Sequence, residues 1–376
     1  MGTVVRTGGL RGIDGFPVQV EVDLTRGLPA FHLVGLPSSA VRESRERVTA
    51  AIRNSGYKLP AGRVTVNLAP ADVRKEGSGH DLAIAVAVIA AERARRGRAG
   101  AGGGDGILLG ELSLFGEVRP VRGLLAIVLD ARRRGETTVA VPAEQAWEAA
   151  LVPGVKVVAV RTLDEAVAWH LRGQRPVPAP TASPEPASTG SALLASDPAF
   201  AWRVPPLAGR AAELAAAGRH HLLLLGPPGT GKTRLARLLA RLLPDLDEDA
   251  GLEVTRIHGA AGLLARPGLV RRPPLRAPHH TITAAGLLGG GAQLRPGEVT
   301  LAHRGLLFLD ELPEFRARIL DALREPLAEG VVRVVRGTGQ RRFPAAFQLV
   351  AAGNPCRCGF LGSRVRPCTC GMQRRL

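Results

Sequence analysis

Residues 226–233 read GPPGTGKT, so that Gly226, Pro227, Pro228, Gly229, Thr230, Gly231, Lys232 and Thr233 fill the pattern G-x-x-x-x-G-K-[ST]. Phosphate chemistry needs these types in this order. Glycines let successive backbone N–H groups close around phosphate oxygens, and the loop opens onto a helix whose N-terminal dipole favours anions. The Lys232 ammonium reaches the outer phosphates, and the Thr233 hydroxyl can ligate Mg²⁺. Hydrolysis also needs an acidic strand end, and "GLLFLDEL" supplies one. Leu306 to Leu309 form an apolar run, expected to lie buried beside the strand that leads into the glycine loop. Asp310 then holds the metal's water shell, while Glu311 orients and deprotonates the attacking water. A third run, "FQLVAAGNP", ends in Asn354, a polar residue where a γ-phosphate sensor would sit. The expected catalytic set is therefore Lys232, Glu311 and Asn354, acting on ATP with Mg²⁺ at Thr233 and Asp310.

Three further groups could do chemistry. Cys356, Cys358, Cys368 and Cys370 are spaced C-x-C, nine residues, C-x-C. Four thiolates from a folded-back loop can hold zinc tetrahedrally, and a disulfide is disfavoured in a reducing compartment. Arg357, Arg364 and Arg366 in the same loop leave a DNA-facing loop as the alternative. "VVRVVRGTGQRRF" reads as a β-hairpin carrying Arg333, Arg336, Arg341 and Arg342, which could track nucleic-acid phosphates without reading sequence; the competing reading is a solvated charged hairpin. His279 and His280 are adjacent on an extended segment and are expected on opposite faces, a poor chelating pair.

The elements that must position these residues fall into two stretches. "LRGQRPVPAPTASPEPASTGSALLASDPA" is rich in Pro, Ala, Ser and Thr and has no apolar period, the composition of a linker. The expected division is residues 1–171, a linker at 172–199, and residues 200–376. In the first stretch "FPVQVEVDL", "RVTVNLA" and "GILLGELSLFGEV" alternate like strands. "SSAVRESRERVTAAIRNSG" reads as a serine-capped helix with Val41, Val48 and Ile52 on one face, and a second helix starts near Asp81. In the second stretch a helix in "GRAAELAAAG" precedes the apolar strand from Leu222, and Leu235, Leu238, Leu239 and Leu242 follow at helical spacing until Pro244.

The formal charge is +17 over 376 residues. Lysines occur only at 58, 75, 156 and 232, so the basicity is an arginine-rich composition before it is a DNA signal. No apolar run approaches the roughly 20 residues that span a bilayer, and the first residues lack the apolar core of a signal peptide. The expected compartment is the cytoplasm.

GPPGTGKT, LFLDE and a strand ending in GNP resemble an AAA+ ATPase. "RIHGAAGLL" and "RAPHHTITAAGLLGGG" narrow the resemblance to magnesium-chelatase-like proteins. "FHLVGLPSSAVRESRERVTAAIRNSGYKLPAGRVTVNLAPADVRKEGSGHDLAIA" is similar to the ComM/YifB family. That resemblance implies an N-terminal α+β domain of the Lon-peptidase-like (S5-like) fold, then an α/β AAA+ P-loop NTPase core with a parallel sheet. It implies a homo-hexameric motor that hydrolyses ATP to remodel single-stranded or branched DNA, driving branch migration during recombination and natural transformation. It also implies a cysteine-bearing loop after the sensor asparagine.

The sequence departs from the family in two places, before the glycine loop and at the chain's end, and in a third from a Lon-type peptidase. Ahead of the glycine loop the family carries a glycine-glutamine pair, whereas "WRVPPLAGRAAELAAAG" offers proline and arginine. The peptidase serine position falls on Gly79, beside Ser78, and the lysine position on Leu125, so the Ser-Lys dyad is absent and Ser78 has no activating base. The family continues through an arginine finger, a helical lid and a second sensor, so a chain stopping at Leu376 is expected to be an incomplete AAA+ module. A nucleotide-binding fragment without turnover and the ATPase subunit of a magnesium chelatase are the alternative functions.

Overall fold

The computed structural model describes residues 3–97, 105–174, 176, 204–264, 266–291, 294–336, 339–356, 358–361 and 366–370. They form two compact units, Met1–Pro184 with His258–Gly268, and Glu185–Ile257 with Leu269–Leu376. Most of the expected linker lies outside the described residues.

The first unit is built on a mixed sheet. Its strands are β1 (Thr3–Arg11), β2 (Asp14–Thr25), β3 (Ala30–Val34), β4 (Arg63–Ala69), β5 (Ile107–Leu108), β6 (Thr138–Pro142) and β7 (Lys156–Val160), in the order β3-β4-β2-β1-β5-β6-β7. The β1–β2 and β2–β4 pairs are antiparallel, and the other pairs are parallel. Helix α1 (Ser39–Asn54) is capped by the Ser38 hydroxyl, which accepts from the Val41 amide, and buries Val41, Val48 and Ile52. Helix α2 (Asp81–Arg95) is buried continuously from Asp81 to Ile89. A helix that is apolar nearly all round has no solvent face to offer, and so lies in the core.

"GILLGELSLFGEV" is not one strand. It breaks after β5, and Glu111–Leu112 pairs back on Val118–Arg119. Gly110 donates to the Gly79 carbonyl instead of continuing a ladder, and Gly116, at φ 85°, closes the turn on Ser113. Alternation is the same on the two arms of a tight hairpin, so the period does not reveal the break. Helix α3 (Leu124–Arg133) carries the fully buried Leu125.

The second unit begins with α4 (Pro206–Gly218), strand β8 (Leu222–Leu225) and α5 (Lys232–Leu242). Strands β9 (Leu275–Arg276), β10 (Leu306–Leu309), β11 (Val331–Arg336), β12 (Gly339–Pro344) and β13 (Gln348–Gly353) follow. The sheet is fully parallel, in the order β8-β13-β10-β9. Leu235, Leu238 and Leu239 of α5 pack with Leu306, Phe308, Val350 and Ala352 of the sheet. Each such leucine contributes on the order of 1.5–3 kcal/mol by burial.

The order corrects one expectation. The strand ending in Asp310 does not adjoin the glycine-loop strand, because β13 lies between them. All but one of the β13 positions are buried, as in a central strand, whereas Leu223 and Leu225 of β8 are exposed, as at an edge.

Candidate nucleotide site and its surroundings

The glycine loop joins β8 to α5. Gly229 and Gly231 take φ of 81° and 88°, a left-handed conformation that costs a side-chain-bearing residue about 1–2 kcal/mol. These two positions turn the loop so that Lys232 begins the helix. The Thr230 hydroxyl donates to the Pro227 carbonyl at 2.8 Å, pinning the turn from within. The Gly226 amide reaches the Gly353 carbonyl at 3.4 Å, so the β13 ladder runs into the loop itself.

Lys232 and Thr233 tie the loop to the two neighbouring strand ends. The Lys232 ammonium donates to the carbonyls of Gly226 at 2.7 Å and Pro227 at 3.0 Å, and to Asn354 Oδ1 at 3.0 Å. Partial burial lowers its pKa, opposed by the charge of Asp310. The Thr233 hydroxyl donates to Asp310 Oδ2 at 2.8 Å. Residues from three separate stretches, Lys232 with Thr233, Asp310, and Asn354, thus meet at one end of the parallel sheet, where open α/β folds bind ligands.

Glu311 stands apart from this network. Its side chain is 61% exposed, and its backbone has φ 55°, a strained value for a residue with a β-carbon. Asp310 Oδ1 accepts from the Glu311 amide at 3.0 Å and steadies that turn. Glu311 Oε2 lies 3.5 Å from His280 Nδ1. The His280 ring meets Phe315 edge-on at 6.4 Å and lies 4.0 Å from the His279 ring. The expectation that the two histidines point to opposite faces therefore fails. The chain turns at His280–Thr281, where His279 Nδ1 pairs with the Thr281 hydroxyl at 2.9 Å, and both rings fall on one side. Sequence reasoning missed His280 as the neighbour of Glu311. No local pattern marks it, because the contact joins separate stretches of the chain.

A family model described as magnesium chelatase, subunit ChlI, matches residues 205–376, and one described as subunit ChlI of Mg-chelatase matches residues 20–145. An uncharacterized protein of Mycobacterium tuberculosis is 46% identical over 373 residues, covering 97% of this chain and 71% of that protein. The uncharacterized protein YifB of Escherichia coli is 40% identical over 368 residues, covering 98% and 71%. The competence protein ComM of Haemophilus influenzae is 39% identical over 351 residues, covering 93% and 67%. The chain belongs to the ComM/YifB family of magnesium-chelatase-like proteins. It is of AAA+ ATPase type, and the parallel sheet with its glycine loop fits that assignment.

In this ComM/YifB protein the remaining candidate residues are placed unevenly. Cys356, Cys358, Cys368 and Cys370 converge, with all four sulfurs within 4.8 Å of one another. Arg357 and Arg364 lie outside the described residues, and Arg366 sits over the Phe360 ring at 4.9 Å. β11 and β12 form the expected hairpin. Its register sets Arg333 opposite Arg342 and Arg341 opposite Val334, which puts Arg341 on the reverse face. Arg333 is held by Glu325 at 2.7 Å and by Glu329, which raise its pKa, Glu329 foremost. Arg342 is exposed, and the side chain of Arg336 lies outside the described residues.

The first unit holds no Ser-Lys pair at residues 79 and 125, where a peptidase dyad would stand. Ser78 donates to Glu111, Gly79 packs towards Val121, and Leu125 is buried on α3. Lys75, fully buried, donates to the Pro70 carbonyl, and burial lowers its pKa. His80 is buried beside it, pushed down to about 4 by burial and then by the charge of Lys75.

Proposed function

We propose that this protein binds and hydrolyses ATP at the glycine loop and uses the energy to remodel single-stranded or branched DNA as a homo-hexamer. The observation that carries the nucleotide reading is the convergence of Lys232 with Asn354 and of Thr233 with Asp310. The loop amides of Gly229 to Thr233 receive the phosphates, and Lys232 exchanges its carbonyl partners for phosphate oxygens. Thr233 and Asp310 carry the hydroxyl and carboxylate donor set that would hold Mg²⁺, and the ion would supply positive charge to offset the negative charge developing on the phosphates. Glu311, reached from solvent, accepts the proton of the attacking water as its oxygen bonds the γ-phosphorus and the bond to the β-phosphate oxygen breaks. Asn354 orients that water and registers the γ-phosphate.

The DNA role is supported by the ComM/YifB membership and by the exposed Arg342 on the hairpin. Arg333 is engaged by glutamates and Arg341 lies on the reverse face, so the leading phosphate contact falls to Arg342. In the same reading the first unit is a Lon-peptidase-like domain without its dyad, serving as an assembly or DNA-docking platform. Residues 1–171 and 200–376 then act as separate domains on a linker at 172–199. The four thiols hold Zn²⁺, and the protein works in the cytoplasm. No helix among the described residues is long and apolar enough to cross a membrane.

The test is ATP turnover with and without single-stranded DNA, for the native chain, Lys232→Ala and Glu311→Gln. The expected result is DNA-stimulated turnover lost in both variants, with ATP binding lost only in Lys232→Ala. ATP binding that survives Lys232→Ala at full strength would overturn the nucleotide site. Turnover indifferent to DNA would overturn the motor.

A further inference from the structure

We propose that zinc held by Cys356, Cys358, Cys368 and Cys370 clamps the loop after β13 against the glycine loop, so that the metal sets the affinity of the nucleotide site. The inference rests on the four thiols taking zinc, which the geometry supports directly. A tetrahedral Zn–S₄ centre with bonds of about 2.3 Å has sulfurs about 3.8 Å apart. Cys356 Sγ lies 3.3 Å from Cys358 Sγ and 3.7 Å from Cys368 Sγ, and Cys358 and Cys368 are 3.6 Å apart. The Leu361 amide donates to Cys356 Sγ and the Cys358 amide to Cys370 Sγ, each at 3.3 Å. Amides aimed at sulfur are the supporting shell that a thiolate-bound metal uses to offset its negative charge. Cys356 is 4% exposed, so the centre is anchored on its β13 side.

The end of β13 and this loop touch the nucleotide cradle at three successive points. Gly353 accepts from Gly226, Asn354 accepts from Lys232, and Gly359 sits on Pro228. The last contact is so close that a β-carbon on Gly359 would stand 2.6 Å from Pro228 Cδ, and its φ of 81° already demands glycine. Cys356 and Cys358 lie between the second and third points. A metal that fixes them therefore fixes the spacing between Asn354 and Gly359, and with it the wall of the cradle. Without the ion four thiols share a volume that nothing else in the described residues crosslinks. Binding energy of a structural zinc is folding energy for the segment it closes.

The experiment uses the untagged chain and reads three quantities: zinc per chain by elemental analysis, ATP affinity by fluorescent-nucleotide titration in Mg²⁺, and secondary structure by circular dichroism. It compares the zinc-loaded protein, the protein stripped with a zinc-selective chelator under reductant, Gly359→Ala and Lys232→Ala. The clamp predicts one zinc per chain, and a loss of ATP affinity of about tenfold or more both on stripping and in Gly359→Ala, which keeps its zinc. If stripping unfolds the second unit, zinc-loaded Gly359→Ala decides alone. No bound zinc, or a disulfide in its place, overturns the proposal, as does zinc binding with ATP affinity unchanged in Gly359→Ala. Lys232→Ala keeps zinc and loses ATP; should it keep both, the nucleotide reading fails and not the clamp.

Discussion

The loop before α5 and the loop before α2 are assembled from the same kinds of residue and come to opposite ends. Each offers glycines, a lysine, a hydroxyl and an acid around a helix start: Lys232, Thr233 and Asp310 in one, Lys75, Ser78 and Asp81 in the other. Both hold an open left-handed glycine, Gly229 in the first and Gly77 in the second, at which a β-carbon would meet nothing within 4 Å, so glycine freedom does not separate them. In the second, Lys75 and Asp81 are wholly buried, and Ser78 is spent on Glu111. Arg47 closes on Asp81 at 2.8 Å. Residue type alone does not make a phosphate site. The lysine, hydroxyl and acid must stay within reach of a ligand, and in the second loop they are buried or engaged by neighbouring side chains.

The sharpest way to break the comparison is at Glu311. Changing it to Gln keeps the side chain's shape and removes the proton acceptor, so ATP turnover should fall by roughly 10²–10⁴-fold while ATP affinity holds. Ordinary turnover in the variant would return the site to plain binding. The second loop should respond to pH instead of nucleotide. His80 has a pKa lowered from 6.5 to about 4, so between those values the unfolded chain binds the extra proton. Stability of the first unit is thus intact above pH 6.5 and is lost as pH falls towards 4, by on the order of 3 kcal/mol. Thermal unfolding followed across that range in the native chain and in His80→Leu tests this, because the variant should flatten the dependence.

Smaller effects sharpen the contrast. Ser78→Ala should cost about 1 kcal/mol of stability through the stranded Glu111 and change no catalytic rate. A lost peptidase activity in that variant would contradict the reading of a spent hydroxyl. On the hairpin, Arg342→Ala should weaken single-stranded DNA binding and lower its salt slope by about 1, whereas Arg333→Ala should leave the slope nearly unchanged. Equal slopes in the two variants would show that the glutamates do not withhold Arg333.

What was legible in the sequence was local. The glycine loop, the acidic strand end and Asn354 each announce themselves within ten residues, because the pattern and the geometry belong to the same turn. The serine cap of α1 and the start of α2 at Asp81 were readable for the same reason. What escaped depends on neighbours far along the chain. Apolar runs do not say which strand sits between which, so the central place of β13 was invisible. Nor could spacing show that His280 turns towards Glu311, or that Arg333 meets Glu325 and Glu329 before it meets any phosphate. The absence of a dyad was readable, but not that Lys75 and His80 are buried, because burial, unlike identity, is written nowhere in those six residues.

The central position of β13 has a consequence for how the second unit is made. β8 and β10 share no hydrogen bonds, and the strand that joins them is the last of the four in the chain. On a ribosome the glycine-loop strand and the acidic strand emerge first, each with an edge left open until residues 348–353 clear the exit tunnel and slot between them. Synthesis of this unit therefore passes through a window of more than forty residues in which β8 has no sheet partner and β10 is paired only with the short β9, a state that invites association with other chains and favours a holding chaperone.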